Sequence, residues 1–432
     1  MIKRILKNII VRILELEARL VLKKYKPKII AVTGNVGKTS TKDAIYVMLS
    51  RAYHVRKSEK SFNSELGVPL TILGCESGWN SPRLWMSNIL EGLALIFLKN
   101  HYPKWLILEV GADRPGDILR ITKWLSPDMV VVTHIGEVPV HVEFFKSVKE
   151  VVAEKSHLVR ALKEGGLLFL NADDEQVLSM KEHSRGKVFT FGTSEKATMR
   201  ATNEQILYDQ DGKPAGVTFK INYGESSVPV RLQGTAGFSY AYAVSAALLI
   251  GVSEGFNLLS AVEWIQEYET PPGRLKIIGG INRTSILDDS YNASPAAMDA
   301  ALSTLAAVET KGRKIAVLGD MMELGKHSTD EHKKVGARAA GICDILVTVG
   351  MRAQTIAEEA HAKKMGKRDI FLFDDAREAG VALRGIVAEG DVILVKGSQS
   401  MRMERVVEEL MAHPEDKRRL LVRQETEWLE RA

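Results

Sequence analysis

Between Ile29 and Leu170, short apolar runs rich in β-branched residues alternate with longer helical patterns: KIIAVTG, TKDAIYVMLSRA, WLILEVG, DILRITKWL, DMVVVTHIG, FKSVKEVVAEKSHLVRAL and GGLLFLN. Strands separated by helices pair in parallel, and a parallel sheet buries both faces, so this alternation predicts an α/β fold with a mainly parallel, doubly covered sheet. From 187 to 233 the pattern changes to KVFTFG, QILYDQDGKPAGVTFKI and SSVPVRLQG with an Asp-Gly turn, which predicts a small antiparallel sheet. A helical stretch, SYAYAVSAALLIGV, follows. At YETPPGRL two prolines and a glycine interrupt the chain, and alternation resumes as KIAVLGD, DILVTVG, DIFLFDD and DVILVKG, the signature of a second, Rossmann-like α/β domain. The expected organisation is a helical arm over 1–27, a P-loop-type central domain over 28–272 and a C-terminal α/β domain over 273–432. That suits 432 residues at roughly 150 per domain.

The first strand runs into TGNVGKTST. Gly34 and Gly37 let backbone approach phosphate oxygens, Lys38 brings charge, Thr39 offers a hydroxyl to Mg2+, and Ser40 follows at the helix start. The general phosphate-loop pattern would place a further glycine at position 32, where this chain has Val32. The alternative is a glycine-rich strand-to-helix turn without a ligand. WLILEVGAD ends an apolar run in Glu109, at the strand end where a doubly wound sheet places its ligand crevice; it is either a metal-holding carboxylate or a solvated strand end. VVTHIGEVPVHVEFFKSVKEVVAEKSHLV adds a loop with His141 and a helix with Lys155. A loop histidine is commonly a surface residue. A bare ammonium is repelled by Mg2+, whereas a lysine that has taken up CO2 becomes an anionic carbamate able to bridge metal ions.

Charge and cysteine usage narrow the classes. The formal charge of +5, from 59 basic and 54 acidic residues, is too mild to argue for nucleic acid. Cys75 and Cys343 are the only cysteines, so neither a disulfide framework nor a cysteine metal site is available, and a reducing cytoplasm is the natural setting. The N-terminal MIKRILKNIIVRILELEARLVLKKYKPK lacks a cleavage site and is interrupted by charge, which excludes a signal peptide or a spanning helix. Residues 1–28 hold nine Lys or Arg against two Glu, with Ile2, Ile5, Leu6, Ile9, Ile13, Leu16 and Leu20 spaced to form one apolar helical face. The run LWMSNILEGLALIFL (84–98) is shorter than the ~20 residues of a bilayer span and is broken by Glu91. It reads as a helix packed on protein, and the arm is expected to lay its apolar face on it, ahead of contact with a membrane surface.

In order along the chain, TGNVGKTSTK, FNSELGVPLTIL, LEVGADRPGDI, IGEVPVHVEFF, LNADD, PPGRL, LDDSYNASPAAMDAAL, KIAVLGDMMELG and LVKGSQSMRMERVVEEL resemble the Mur ligase family, and within it the MurF branch of peptidoglycan synthesis; the resemblance covers about 28–412. It implies an ATP-dependent, Mg2+-using amide ligase in which the γ-phosphate passes to a substrate carboxylate and an incoming amine attacks the acyl phosphate. The acyl partner would be a peptidoglycan precursor peptide and the amine a dipeptide such as D-Ala-D-Ala, in a cytoplasmic monomer serving cell-wall biogenesis, cell shape and division. Carried over by motif position, Gly34, Asn35, Val36, Gly37, Lys38, Thr39 and Ser40 would cradle the nucleotide, with Thr39 on the first Mg2+ and Glu109, His141 and carbamylated Lys155 serving a second metal. Arg274, Asp289 and Asn292 would reach ATP from the C-terminal domain, closing the site between domains. Asn63, Asp320, Glu323, Lys396, Ser398 and Arg402 would meet the substrates, charges of both signs being what a zwitterionic dipeptide needs.

This chain departs from the family's pattern in three places. Its His-Asn pair and further adenine-contacting Asn are replaced in QGTAGFSYAYAVSAA by Ala236, Gly237 and Tyr240, which leaves Tyr240 as a residue to stack on the base. Fewer than thirty residues precede the central domain, where MurF enzymes carry a domain that helps bind the UDP-sugar, so the nucleotide-sugar is either gripped differently or absent from the substrate. CESGWNSPRLWMSNILEGLALIFLKNHYP is also inserted before the Glu109 strand. Two further readings follow: a Mur-type ligase for an acyl substrate not linked to UDP, or a silent homologue acting as a cell-wall assembly partner. Intact Lys38, Thr39, Glu109, His141 and Lys155 argue against silence.

Overall fold

The computed structural model of the protein describes residues 2–59, 62–79, 81–137 and 144–429, and side chains from residue 9 onward. It has two compact units: Met1–Thr202 with Ile221–Val228 and Tyr240–Tyr268, and Asn203–Lys220 with Pro229–Ser239 and Glu269–Ala432.

In the first unit, α1 (Ile2–Tyr25) leads into β1 (Lys28–Thr33), α2 (Lys38–Ser50), β2 (Val55–Lys57), α3 (Gly67–Leu73), α4 (Pro82–Phe97), β3 (Trp105–Glu109), α5 (Asp117–Thr122), β4 (Met129–Val132), α6 (Val148–Arg160), β5 (Leu167–Asn171), α7 (Glu175–Ser179) and β6 (Lys187–Gly192). β2, β3, β1, β4, β5 and β6 pair in that order and all in parallel. Their near-continuous apolar runs follow from burial on both faces: Ile30, Ala31, Val32, Leu106, Ile107, Leu108, Val130 and Val131 are fully buried. The register sets Val32 beside Glu109 and Thr33 beside Val132, so the loop after β1 and the carboxylate ending β3 emerge at the same sheet edge.

The antiparallel sheet expected over 187–233 is not separate. β6 belongs to the parallel set and pairs in parallel with β7 (Met199–Tyr208), while β8 (Pro214–Tyr223) and β9 (Ser226–Gln233) continue the same sheet. The Asp-Gly turn forms as read, with Gly212 at φ 75°, a region open to glycine without strain. α8 (Tyr240–Ser253) is the apolar helix after it, and it is buried on nearly every side.

α1 packs on α3 and α4, but not through the face expected from its spacing. Val11, Leu14, Ala18 and Val21 are buried, whereas Ile9, Leu16 and Leu20 are exposed; the side chains of Ile2, Ile5 and Leu6 lie outside the described residues. The helix is apolar on two sides, and small residues decide which is buried. Ala18 on α1 and Gly92 on α4 allow close approach; a Cβ at Gly92 would sit 2.3 Å from the Glu17 carboxylate. At the other end, the Lys24 ammonium donates to the carbonyls of Leu95 (2.8 Å), Ile96 (3.0 Å) and Leu98 (2.6 Å), capping α4 where its dipole is negative.

In the second unit, β10 (Lys276–Gly279), β11 (Ser285–Asp289), β12 (Lys314–Gly319), β13 (Ile345–Val349), β14 (Ile370–Phe373) and β15 (Val392–Lys396) form a sheet of order β10-β11-β15-β12-β13-β14. Only the β10–β11 pair is antiparallel. The motifs LDDSYN, LGDMMELG and VKGSQS begin at the C-terminal ends of β11, β12 and β15, the edge at which such sheets bind ligands.

Candidate active site

The loop between β1 and α2 is held in shape before any ligand arrives. Gly34 has φ 143° and Gly37 φ 86°, both in the region that favours glycine, and a Cβ at Gly34 would fall 2.0 Å from the Thr133 hydroxyl. The backbone N–H groups of Asn35 and Val36 donate to the His134 carbonyl at 2.6 and 3.2 Å, and the Asn35 amide donates to the Ile135 carbonyl at 2.7 Å. Thr133 Oγ1 donates to the Val36 carbonyl at 2.7 Å. The loop is therefore pinned to the segment after β4. Gly37 is the residue before the first turn of α2, so Lys38, Thr39 and Ser40 open a helix of 13 residues with its positive end toward the loop. Lys38 Nζ donates to the Asn35 carbonyl at 3.2 Å, which folds its side chain back over the loop.

Glu109 is 1% exposed and organises the next layer. It accepts from Thr39 Oγ1 at 3.0 Å and from Asn63 Nδ2 at 3.3 Å, and Lys42 Nζ lies 3.9 Å from it. Its own N–H donates to Ser58 Oγ at 3.0 Å, while Lys42 Nζ donates to the Ser58 carbonyl at 2.7 Å. Thr39 and Asn63, proposed from separate motifs, thus meet on the Glu109 carboxylate, one at each oxygen. A hydroxyl and a carboxylate side by side are hard oxygen donors suited to Mg2+, which is typically held by one or two carboxylates with substrate phosphates and water completing its shell. The donor set fits the cation. Among the described residues no group of three or more His, Cys, Asp or Glu could hold a metal by themselves. His141, assigned to a second metal by resemblance, lies outside the described residues.

Lys155 is 3% exposed on α6 and donates to the Gly34 carbonyl at 3.1 Å. Burial, reinforced by the positive charge of Lys38, pushes its ammonium down to about 7. Its neighbour Glu154 accepts from the N–H groups of Gly116 (2.8 Å), Ile118 (2.7 Å) and Leu119 (3.3 Å), fixing α6 to the start of α5 and with it the height of Lys155.

Sequence reading passed over three further residues. Lys42, 1% exposed, braces Glu109 from the second turn of α2. His134 Nδ1 pairs with Asp174 at 2.9 Å, and Asp174 also accepts from the N–H groups of Ile135, Gly136 and Val177. These hydrogen bonds hold the Asp174 carboxyl well below the usual range despite burial. The signal was present in LNADD, where Asp174 follows a strand end. Tyr240, by contrast, is 2% exposed with its ring centroid 5.6 Å from that of Tyr268, so it has no face to offer a base. The expected stacking is corrected: α8 is too apolar to stay at the surface, and its first residue is buried with it.

In the second unit, Lys396 and Asp289 form a buried pair at 2.6 Å, and Lys396 also donates to the Asn292 carbonyl at 2.9 Å. Asp288 is buried beside them and its carboxyl is raised to about 6 by burial. Arg274 lies 4.0 Å over the Tyr291 ring. Asp320 accepts from the Ala353 N–H at 2.7 Å, and Ser398 Oγ accepts from the Met322 N–H at 2.8 Å. Glu323 is exposed, with φ 63°. Arg402 points inward: it donates to Glu404 at 2.6 Å, and Glu404 also accepts from Arg423. His332 was not singled out by sequence. It accepts from the Met321 N–H through Nε2 at 3.0 Å and meets the Ser328 carbonyl through Nδ1 at 2.7 Å, which holds it as the neutral Nδ1–H tautomer under LGDMMELG.

Comparison with known proteins agrees with this geometry. The Mur ligase middle domain matches residues 86–248, and the Mur ligase, glutamate ligase domain matches 273–399. The chain is 29% identical over 398 residues to UDP-N-acetylmuramoyl-tripeptide--D-alanyl-D-alanine ligase of Bacillus subtilis (strain 168), covering 92% of this chain and 79% of the relative. It is 30% identical over 390 residues to the protein of the same name from Escherichia coli (strain K12), covering 89% and 76%. Among solved structures, MurF ligase from Thermotoga maritima in complex with ADP superposes with a TM-score of 0.75 at 26% identity, covering 93% of this chain and 83% of that one.

Proposed function

The chain belongs to the Mur ligase family and is an ATP-dependent ligase, and from that premise we propose that it joins D-alanyl-D-alanine, or a dipeptide like it, to the peptide of a UDP-N-acetylmuramoyl tripeptide. The observation that carries this reading is the contact of Thr39, Asn63 and Glu109 beneath a phosphate loop whose Gly34 carbonyl is held by the buried Lys155.

In this reading the N–H groups at the start of α2 and Lys38 hold the β- and γ-phosphates in line with the acceptor carboxylate, on a loop shaped by Asn35 and Val36. A carboxylate oxygen attacks the γ-phosphorus and ADP leaves. The dipeptide amine then attacks the acyl carbon, phosphate leaves, and the amine surrenders a proton as the amide forms. Mg2+, held by Thr39 and Glu109, would neutralise charge on the transferring phosphoryl group. Lys155 supports a carbamate: its lowered proton affinity leaves a free amine near neutral pH, and that lone pair can add to CO2 and give up a proton. The resulting anion would sit where Lys38 favours negative charge. We assign Arg274, Asp289 and Asn292 to the nucleotide. Asp320, Glu323, Lys396 and Ser398 are assigned to the loops that receive the dipeptide, with Arg402 shaping the latter loop through Glu404. We place the protein in the cytoplasm as a monomer, with residues 28–272 as its central ATP-binding domain and 273–432 as a C-terminal domain that serves both the nucleotide, through Arg274, Asp289 and Asn292, and the amine. Among the described residues no helix is long and apolar enough to cross a membrane.

The test is ADP release with ATP, Mg2+ and a panel of UDP-linked and free acyl peptides against dipeptide amines, with the product weighed by mass spectrometry. An amide formed only from the UDP-linked tripeptide and D-Ala-D-Ala is expected. Turnover with a free acyl peptide alone would replace the substrate, and no ADP release with any pair would remove the ligase assignment.

A further inference from the structure

α4 leaves an apolar face uncovered. Its buried side is Asn88, Gly92 and Leu95, while Met86, Leu90, Leu93 and Phe97, at helical spacing, are 58%, 59%, 39% and 76% exposed. Leu98 continues the line at 63%. On the helix packed beside it, Ile9, Leu16 and Leu20 make a second exposed stripe. Exposed apolar residues scattered singly need no explanation, but two adjacent helices that each present a stripe do.

The surroundings of this face carry more basic than acidic charge. Arg12, Lys23, Lys26, Lys99 and Lys104 are exposed on α1 or in the segments that follow α1 and α4, against Glu91 on α4 and Glu76 ahead of it. A cleft of about 310 Å³, lined by Tyr25, Lys26, Lys28, Tyr102, Lys104 and Trp105 among others, opens where α1 ends. Tyr25 OH donates to the Leu95 carbonyl at 3.0 Å, which places the cleft at the Phe97–Leu98 end of the stripe. Lysines among aromatic rings that continue an apolar stripe match the depth profile of a bilayer surface: acyl chains for the stripe, aromatic side chains at the boundary, anionic headgroups for the cations. A second copy of the chain would bring this basic rim against itself, whereas an anionic surface complements it.

We propose that the exposed face of α1 and α4, with the Lys26–Lys104 cleft at its end, is a peripheral docking surface for an anionic lipid bilayer. The helices lie in the interface without crossing it, and the face is independent of the nucleotide loop, so docking requires no turnover.

The experiment is flotation of the full chain with vesicles of phosphatidylcholine alone, or with about a third phosphatidylglycerol, at low and physiological salt. The wild type should float with anionic vesicles, weaken as salt rises and stay unbound to neutral ones. Leu90→Glu with Phe97→Glu should reduce bound protein about tenfold or more, and Lys26→Glu with Lys104→Glu should abolish the preference for anionic lipid, each with unchanged melting temperature and ADP release. Should the first variant fail to fold, Leu90→Ser and the salt series on the wild type read the same surface. Absence of flotation with anionic vesicles, equal flotation with neutral ones, or a wild-type dimer that Leu90→Glu with Phe97→Glu converts to monomer without any lipid binding would each overturn the proposal.

Discussion

The two ends of the proposed chemistry are built differently. Around the phosphate loop, polar and charged side chains from separate elements converge on one small volume: Lys38 on its own loop, Thr39 and Asn63 on Glu109, Lys155 on the Gly34 carbonyl. In the second unit, the polar residues of the sequence motifs mostly fasten backbone. Asp320 takes the Ala353 N–H, Ser398 the Met322 N–H, and Arg402 is consumed by Glu404. The difference teaches that a polar motif residue can mark a site in two ways, by meeting the reactants or by fixing the loop that does. Substitutions should separate the two: loss of turnover at constant stability in the first region, loss of stability in the second.

The largest effect is expected for Lys38→Ala. It removes a cation aimed at the transferring phosphoryl group and should lower turnover roughly a thousandfold or more, with an unchanged unfolding midpoint. Near-normal amide formation would break the contrast at its strongest point. Lys155→Ala should fall almost as far. Its dependence on conditions sharpens the reading: with the ammonium held at about 7, the free amine is scarce below that pH and predominates above it. Removing CO2 from the buffer should therefore cost more activity at pH 6.5 than at 8, and bicarbonate should restore it; indifference to CO2 at both values would exclude the carbamate.

In the second region the prediction reverses. Glu404→Ala leaves Arg402 and Arg423 buried without their carboxylate and should destabilise by about 3–5 kcal/mol in denaturant titration. Ser398→Ala strands the Met322 N–H and should cost about 1–2 kcal/mol, with any kinetic effect appearing in KM for the amine. A Ser398→Ala enzyme of full stability with turnover abolished would move Ser398 into the first class. The smallest effect concerns acid. Burial holds the His332 imidazolium below its ordinary range, so its contribution is complete above about pH 6.5 and is lost as pH falls through the lowered value, when Nε2 can no longer accept from Met321. His332→Gln should flatten that part of the stability–pH curve.

Much of this was legible in residue order. Uninterrupted apolar runs such as WLILE and MVVV could only be strands buried on both faces, and a Gly-rich loop between strand and helix marked the proposed phosphate site. Glu109 and Lys155 were singled out from the elements they end or occupy, and both lie against that loop or its helix. What stayed hidden depended on contacts between distant residues. Lys42 looks like any surface helix lysine until Ser58 and Glu109 meet it, and His332 like any helix histidine until Met321 does. The buried face of α1 could not be read from periodicity, because the helix is apolar on two sides and the choice falls to Ala18 and to Gly92 on another helix. Tyr240 was misjudged since aromatic character does not reveal burial.

The pinning of the phosphate loop carries a consequence for nucleotide choice. Three hydrogen bonds from Asn35 and Val36 to the segment after β4 already fix the loop, so a triphosphate held there as proposed would meet a loop already ordered and lose little entropy on binding. Such a grip is the same for every purine or pyrimidine, because it touches only what all triphosphates share. Fidelity toward the base must be supplied by residues outside the loop, and a chain altered there could change its fuel without changing its grip.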